Sequence, residues 1–250
     1  EYQYPAEAFC RVFLDKGVNV FMVTENYREV EKRVCEACAR SGRAREEVTL
    51  IAVSKYKPVE MIRELMAIGV RDFGENHAQE LVSKTEEITE PLNWHFIGNL
   101  QRNKVKYVVG RACLIHSVSS LALAKEIQKE AAKKNVTVPV LVEVNIADEE
   151  TKQGISEEEV YTLVREISEL PNLVIRGLMA IAPPVESPEE NRPYFRKMKQ
   201  MQKEIAFFGL PRTEMTELSM GMTGDFEVAI EEGATMVRVG TAIFGARNYS

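Results

Sequence analysis

The chain has 250 residues, 45% of them hydrophobic, and a formal net charge of −6. This length is enough for one large core, and an acidic chain without a basic block is a poor candidate for nucleic-acid binding. Apolar runs stay well short of the ~18 residues of a membrane span, and charges at Glu7, Asp15 and Lys16 interrupt the stretch that a signal peptide needs. We predict a cytoplasmic protein that binds neither nucleic acid nor membrane.

The amino-terminal part of the chain divides into two segments. Residues 1–21 do not share the pattern that follows, and we predict an extension outside a domain spanning 22–250. Residues 24–41 then predict a helix, because Tyr27, Val30, Val34 and Cys38 form one apolar stripe.

Four cysteines are scattered along the chain, and two of them form Cys35-x-x-Cys38. This spacing is half of a metal or redox motif, but no second pair follows it. Packing of the cysteines in the core is the favoured interpretation, and we predict no metal site.

From residue 48 onward, strand-like and helix-like segments alternate. Eight strands are predicted, at 48–54, 70–74, 93–97, 113–118, 138–146, 173–181, 215–220 and 235–239. Helices are predicted between them, at 58–68, 76–88, 101–109, 119–134, 156–169, 187–208 and 224–232. Two of these begin with capping-box spacing, Ser156 with Glu159 and Ser187 with Glu190. Eight such units predict a single α/β domain, a (β/α)8 TIM barrel with an extra amino-terminal helix.

A lysine ends the first predicted strand. The run Leu50-Ile51-Ala52-Val53-Ser54-Lys55 is followed by Tyr56-Lys57-Pro58, and proline suits the first turn of a helix. Lys55 therefore begins a βα loop, on the face where these barrels carry out chemistry. A partly desolvated lysine there is a candidate nucleophile for a Schiff base with a carbonyl, the alternative being a solvated loop lysine.

The loops after the seventh and eighth strands predict a phosphate site. The seventh strand ends in Ser219-Met220-Gly221-Met222-Thr223-Gly224-Asp225 and the eighth in Arg238-Val239-Gly240-Thr241. Glycine lets backbone amides approach an anion, and Ser219 and Thr241 can donate hydroxyl hydrogen bonds. Tight turns without a ligand are the alternative.

Arg238 lies within the eighth strand, where an unpartnered charge is costly. By alternation it shares a side with Met236, so an inward arginine could face the ring nitrogen of a bound heterocycle. The alternative is a structural ion pair with Glu75 or Glu143. Other polar groups follow strand ends and are expected to converge on one rim: Glu75-Asn76, His95 through Asn99, and Asn145.

Motifs along residues 22–250 resemble those of the pyridoxal phosphate homeostasis protein family, whose barrel is of the alanine racemase N-terminal type. They are Ala52-Val53-Ser54-Lys55-Tyr56-Lys57-Pro58, Phe73-Gly74-Glu75-Asn76, Trp94-His95-Phe96-Ile97-Gly98-Asn99-Leu100-Gln101, Asn103-Lys104, Asn145-Ile146, Lys152-Gln153-Gly154-Ile155, Arg176-Gly177-Leu178-Met179-Ala180-Ile181, Leu218-Ser219-Met220-Gly221-Met222 and Met236 through Gly245. Departures are small: Thr223-Gly224-Asp225 replaces a more usual serine-led run, and Asn99 stands where a small or imidazole side chain is common.

The resemblance implies pyridoxal 5′-phosphate (PLP) as the cofactor, held as an internal aldimine on Lys55. It implies phosphate contacts from Ser219, Gly240 and Thr241, with Arg238 near the pyridine nitrogen. Asn76, Met179 and Met220, within the shared motifs, complete the predicted cofactor site.

The resemblance also implies a carrier that takes part in intracellular PLP (vitamin B6) homeostasis and supplies apo PLP-dependent enzymes. A one-base amino-acid racemase with weak activity is the alternative, and a Schiff-base aldolase for a phosphorylated sugar is a third.

An arginine at the ring nitrogen disfavours protonation of the ring, which weakens the cofactor as an electron sink. Alanine racemases take their second base, a tyrosine, from another domain. Tyr249 is a poor substitute, so we expect no robust catalysis, and we expect a monomer. Lys152 could accept or gate the cofactor, or be a solvated loop residue.

Overall fold

The computed structural model describes residues 20–147 and 154–245, and its eight strands close into a parallel barrel in chain order. The strands are β1 (Thr49–Val53), β2 (Asp72–Glu75), β3 (Asn93–Phe96), β4 (Leu114–Val118), β5 (Val138–Val144), β6 (Leu173–Ala180), β7 (Thr213–Ser219) and β8 (Met236–Val239). Closure comes from β1 pairing with β8, with Ile51 opposite Arg238. The predicted (β/α)8 TIM barrel is confirmed.

Helices surround the barrel at the predicted places, and one further helix, which was not predicted, follows β8. They are α1 (Val20–Arg40), α2 (Val59–Ala67), α3 (Ala78–Glu87), α4 (Val105–Val108), α5 (Leu121–Lys134), α6 (Val160–Ser168), α7 (Arg192–Phe207), α8 (Phe226–Glu231) and α9 (Thr241–Phe244). Short 3-10 turns precede α4 at Arg102–Lys104 and α7 at Pro188–Asn191.

The two predicted capping boxes have different outcomes. The Ser187 amide donates to the Glu190 carboxylate at 2.8 Å, as predicted. The Ser156 hydroxyl instead donates to the Glu159 carboxylate at 2.7 Å, and α6 begins only at Val160. The N-cap residue of α6 is Glu159, which makes no side-chain cap hydrogen bond, so the predicted start at 156 is wrong.

Alternation along the strands separates two apolar regions. Side chains directed into the barrel form a small cluster of Ile51, Leu114, Leu141, Met179 and Met236. Side chains directed outward, such as Trp94 and Phe96, join the much larger core between the barrel and its helices. The position of a polar residue along its strand therefore determines whether its side chain lies inside the barrel or between the barrel and the surrounding helices.

Helix α1 packs outside the barrel through the predicted apolar stripe, since Val30, Val34 and Cys38 are all buried. Its Arg33 and Arg40 both reach Glu227 on α8. Core packing is confirmed for Cys38.

Core packing is wrong for Cys35 and Cys113, which are exposed. Cys35 falls beyond the edge of the apolar stripe. Cys10 lies outside the described residues. Among the residues that the structure describes, no group of three or more histidine, cysteine or acidic side chains is arranged to hold a metal ion. None of the helices in that same part of the chain has the length and apolar character needed to cross a bilayer.

Candidate functional site at the carboxyl end of the barrel

Lys55 lies on the loop that leaves β1, two residues beyond Val53, and is partly exposed. The next residue, Tyr56, has a φ of 60°, a conformation that residues other than glycine seldom adopt. Its amide donates to the Glu80 carboxylate at 2.6 Å, and its hydroxyl lies 2.6 Å from Nε2 of His77. These contacts fix the backbone on the carboxyl side of Lys55.

A buried ion pair supports the amino side of Lys55. The Ser54 hydroxyl donates to the Glu75 carboxylate at 2.6 Å. Nζ of Lys84 donates to the Ser54 carbonyl, to Glu75 and to Glu80, each at 2.7 Å. Burial raises the pKa of Glu75 to about 7, although Lys84 and Ser54 oppose the rise. Glu75 therefore lies between the barrel strands and helix α3. Its predicted position at the mouth is wrong, and so is its predicted pairing with Arg238.

The loop after β8 lies directly beside the Lys55 loop. Gly240 precedes α9, and a Cβ added there would come within 3.4 Å of Cβ of Val53. Nζ of Lys57 donates to the carbonyls of Phe244 and Gly245, which joins the two loops. The first-turn amides of a helix have no acceptor within it, so Thr241 and Ala242 present donors beside Lys55.

The loop after β7 is tightly closed. The Met222 amide donates to Oδ1 of Asp225 at 2.7 Å, and Nδ2 of Asn191 donates to Oδ2 of the same carboxylate at 2.8 Å. Gly221 has a φ of +91°, and a Cβ there would lie 2.6 Å from that of Ala229. The Met220 side chain is buried in the outer core, so only its backbone borders the mouth.

Arg238 lies inside the barrel, on the side of Met236, as alternation predicts. Its Nη1 donates to the Ser219 hydroxyl at 2.6 Å and its Nη2 to the Ala180 carbonyl at 2.9 Å. Burial lowers the pKa of Arg238 to about 10 against the attraction of Glu143 and Asp225.

Glu143 is the buried acid of the barrel interior. Burial raises its pKa to about 7, while Arg238 opposes the rise. Of the two predicted ionic partners of Arg238, Glu143 is thus the one that acts on it. The register places Met179 opposite both Glu143 and Ser219, so Met179 borders the same interior region.

Two histidines extend this polar cluster down through the barrel. Nδ1 of His116 lies 2.9 Å from the Ser219 hydroxyl, and Nε2 of His116 lies 3.0 Å from Nδ1 of His95. Nε2 of His95 lies 3.2 Å from Oδ1 of Asp72, at the start of β2. His95 is therefore directed toward the amino end of the barrel, and its predicted place on the rim is wrong.

Sequence reasoning did not single out His116 or Asp72. Their positions on β4 and β2 carried a signal, because a titratable side chain within a barrel strand is costly to bury without a partner. The partners themselves come from different strands, and sequence spacing does not pair them.

Asn76 supplies an unused acceptor at the end of β2. Its Oδ1 is buried and has no hydrogen-bond partner among the described residues. Close by, a Cβ on Gly98 would lie 2.3 Å from the Asn76 carbonyl oxygen, so the two loops touch there. Of the predicted rim groups, Asn145 also follows its strand as expected. Lys152 and Tyr249 lie outside the described residues.

The fold and this set of groups define a class of protein: a barrel of the alanine racemase N-terminal type, with a lysine after its first strand. The alanine racemase N-terminal domain family matches residues 24–248. A pyridoxal phosphate homeostasis protein of Aquifex aeolicus is 47% identical over 226 residues, covering 90% of this chain and 98% of that protein.

Solved structures agree with this class. A protein from Bifidobacterium adolescentis, described as unknown, superposes with a TM-score of 0.86 at 35% identity, covering 90% of this chain and 95% of its own. PipY of Synechococcus elongatus, solved with PLP bound, superposes with a TM-score of 0.75 at 36% identity, covering 85% of this chain and 100% of its own. The chain belongs to the pyridoxal phosphate homeostasis protein family.

Proposed function

We propose that this protein binds PLP covalently through Lys55 and takes part in intracellular PLP homeostasis and supply. The observation that carries this proposal is the contact between Gly240 and Val53, which brings the start of α9 against the end of β1. The Lys55 amine and the first-turn amides of α9 thereby lie at one mouth. The naming of the relatives and the PLP in PipY support the same function.

The residues of the mouth match the chemical groups of PLP. Lys55 provides an amine for the aldehyde, and the amides of Gly240 and Thr241 suit a phosphate. Arg238 is a buried donor for the ring nitrogen, and the unpartnered Oδ1 of Asn76 is a polar atom that a ligand donor could satisfy. When bound, PLP supplies an electron sink for amine chemistry.

Ser219 also bonds to two buried side chains. Its hydroxyl oxygen accepts from Arg238 and contacts Nδ1 of His116, so its single proton is available to the cofactor only when it is not donated to His116. Met179 and the Met220 backbone would complete the walls of the site.

A carrier fits these groups better than a racemase. A cationic Arg238 beside the ring nitrogen disfavours ring protonation, which weakens carbanion stabilisation. Racemisation also needs an acid–base group opposite the lysine, and the charge of the buried acid Glu143 is stabilised by the attraction of Arg238. Apo PLP-dependent enzymes as recipients, a monomeric state and a cytoplasmic location remain predictions, as does the assignment of residues 22–250 to one domain.

The test is attachment of PLP to the purified protein with and without borohydride, followed by peptide mass analysis. We expect a yellow protein whose cofactor becomes fixed on the Lys55 peptide. Lys55→Arg keeps the charge but removes the nucleophile, so it should not be labelled. A wild type that stays colourless with added PLP contradicts the proposal and favours the phosphate-sugar aldolase.

Turnover then separates carrier from racemase. Sustained loss of optical activity from an L-amino acid, abolished in Lys55→Arg, would replace the carrier by the racemase.

A further inference from the structure

A continuous column of polar side chains crosses the interior of the barrel from one end to the other. It runs from Arg238 through Ser219, His116 and His95 to Asp72, and its contacts measure 2.6, 2.9, 3.0 and 3.2 Å. Ser219 and His116 have no exposed surface, and His95 and Arg238 are almost fully buried. Five residues on five strands thus form one hydrogen-bonded path.

The lower end of this column opens to solvent. A cavity of about 200 Å³ at the amino-terminal end of the barrel is lined by Asp72, Asn93, His95, Cys113, Arg176 and Glu217, among others. The upper end is the Arg238–Ser219 pair beneath the proposed cofactor. The column therefore joins a solvent-filled opening to the site at the opposite end.

Donor and acceptor rules allow two arrangements of protons. With His95 neutral, its Nε2–H donates to Asp72 and its Nδ1 accepts from Nε2–H of His116. Nδ1 of His116 then accepts the Ser219 hydroxyl proton, while the Ser219 oxygen accepts from Arg238. Every bond in this state runs in one direction, from Arg238 down to Asp72.

Protonation reverses part of the column. Net uptake of one proton from solvent leaves His95 protonated on both nitrogens and His116 protonated on Nδ1 instead of Nε2. His95 is now a cation that donates to both Asp72 and His116. Nδ1–H of His116 donates to the Ser219 oxygen, which also accepts from Arg238, and the Ser219 hydroxyl proton is released for another acceptor.

We propose that His116 and His95 are positioning residues that determine whether the Ser219 hydroxyl donates downward or toward the cofactor. Protonation at the amino-terminal opening is thereby coupled to PLP binding at the mouth, and this inference rests on the proposed function. Below the transition, Ser219 offers a donor to the anionic cofactor. Above it, that donor is directed to His116.

The charges around the column favour a transition at alkaline pH. Burial opposes the charge on His95, but hydrogen bonds to Asp72 and Cys113 outweigh it and raise its pKa to about 9. Burial, together with the nearby His95 and Arg238, holds the pKa of His116 far below its ordinary value. Arg176 and Glu217 face His95 across the cavity, and Glu143 faces Arg238 from β5. Protonation therefore ends on His95, as the second arrangement requires.

The first test uses the protein without cofactor. In 15N-histidine NMR, we expect His116 to stay neutral and to change from the Nδ1–H to the Nε2–H tautomer as the pH rises through the His95 pKa. A His116 tautomer that does not change across that range overturns the proposal, whatever the protein binds.

The second test measures PLP affinity against pH. We expect wild-type affinity to fall by about tenfold through the transition, the usual worth of one hydrogen bond to a charged group. Asp72→Asn keeps an acceptor for His95 but removes the charge, so the step should move to lower pH. His95→Gln cannot titrate and should lose the step. His77→Gln removes the third histidine, which lies outside the column, and should keep it.

The outcomes separate the two proposals. A step that is unchanged in both Asp72→Asn and His95→Gln overturns the column as its cause, while PLP binding stands. A wild type that binds no PLP at any pH overturns the proposed function, whereas the NMR result still decides whether the proton arrangement exists.

Discussion

Nδ1 of His116 lies 2.9 Å from the hydroxyl of Ser219, although 103 residues separate them in the chain. This contact joins β4 to β7 across the inside of the barrel and ties Arg238 to the amino-terminal half of the interior. The barrel interior therefore contains two groups of side chains. One is a small apolar cluster around Ile51 and Met179, and the other is the polar column beside it.

Arg238→Lys should destabilise the protein by about 1–3 kcal/mol, because lysine cannot reach both the Ser219 hydroxyl and the Ala180 carbonyl with one ammonium group. Urea unfolding measures the change. Arg176→Lys is the matched control, since Arg176 is partly exposed and pairs with Glu214 at the surface. Its effect should stay within about 1 kcal/mol. Equal losses in the two variants would contradict the assigned contacts.

Lys84→Met should destabilise the protein by about 3–5 kcal/mol at pH 8, because it leaves the Glu75 carboxylate buried without its counter-ion. The loss should shrink at pH 5. Glu75 already has a raised pKa, and in the variant it would take up a proton rather than remain charged. Urea unfolding at the two pH values measures the difference.

The matching double variant, Lys84→Met with Glu75→Gln, removes both charges. It should recover part of the stability at pH 8 and show little dependence on pH. An identical loss for Lys84→Met alone at both pH values would show that Glu75 does not carry the effect.

Glu143→Gln should be more stable than the wild type at high pH. The folded-state pKa of Glu143 is raised from 4.5 to about 7, so the folded protein holds this proton more tightly than the unfolded chain. Stability is therefore lost progressively as the pH rises from about 4.5 to about 7, and glutamine removes that loss. The gain should be absent near pH 4.5 and reach up to about 3 kcal/mol above pH 7.

Unfolding free energies measured across this pH range test the Glu143 prediction. Glu90→Gln, at an exposed position, is the control and should give no such curve. A variant that loses stability relative to the wild type as the pH rises from 4.5 to 7 would mean that the Glu143–Arg238 attraction outweighs burial.

Gly98→Ala should destabilise the protein by about 1–3 kcal/mol and weaken PLP binding. The added methyl group would lie 2.3 Å from the Asn76 carbonyl oxygen, which is backbone and cannot turn aside. Asn76 would then be displaced from the mouth. Thermal unfolding and PLP titration measure the two effects.

Gly224→Ala is the matched control for stability, because a Cβ at Gly224 meets nothing within 4 Å. Its unfolding midpoint should stay close to that of the wild type. A Gly98→Ala protein as stable as this control would show that the β2 and β3 loops can separate without cost.

The sequence by itself was enough to predict the barrel, because the patterns that indicate its strands and helices are local in the chain. Short apolar runs in the strands, apolar stripes along the helices and the alternation of sides along a strand are all properties of neighbouring residues. The same evidence placed Lys55 after β1 and directed Arg238 inward with Met236. Resemblance over most of the chain then supplied the family.

Only the tertiary structure decided the partners of the polar groups. Glu75 turned out to pair with Lys84 behind the wall, and His95 to contact Asp72 and His116 instead of the rim. Alternation predicts whether a side chain points into the barrel or out of it. Its height along the barrel axis, and therefore which side chains of other strands it contacts, depends on the stagger of the strands in the closed barrel. That stagger is a property of all eight strands together, and it brings Ser219 to His116.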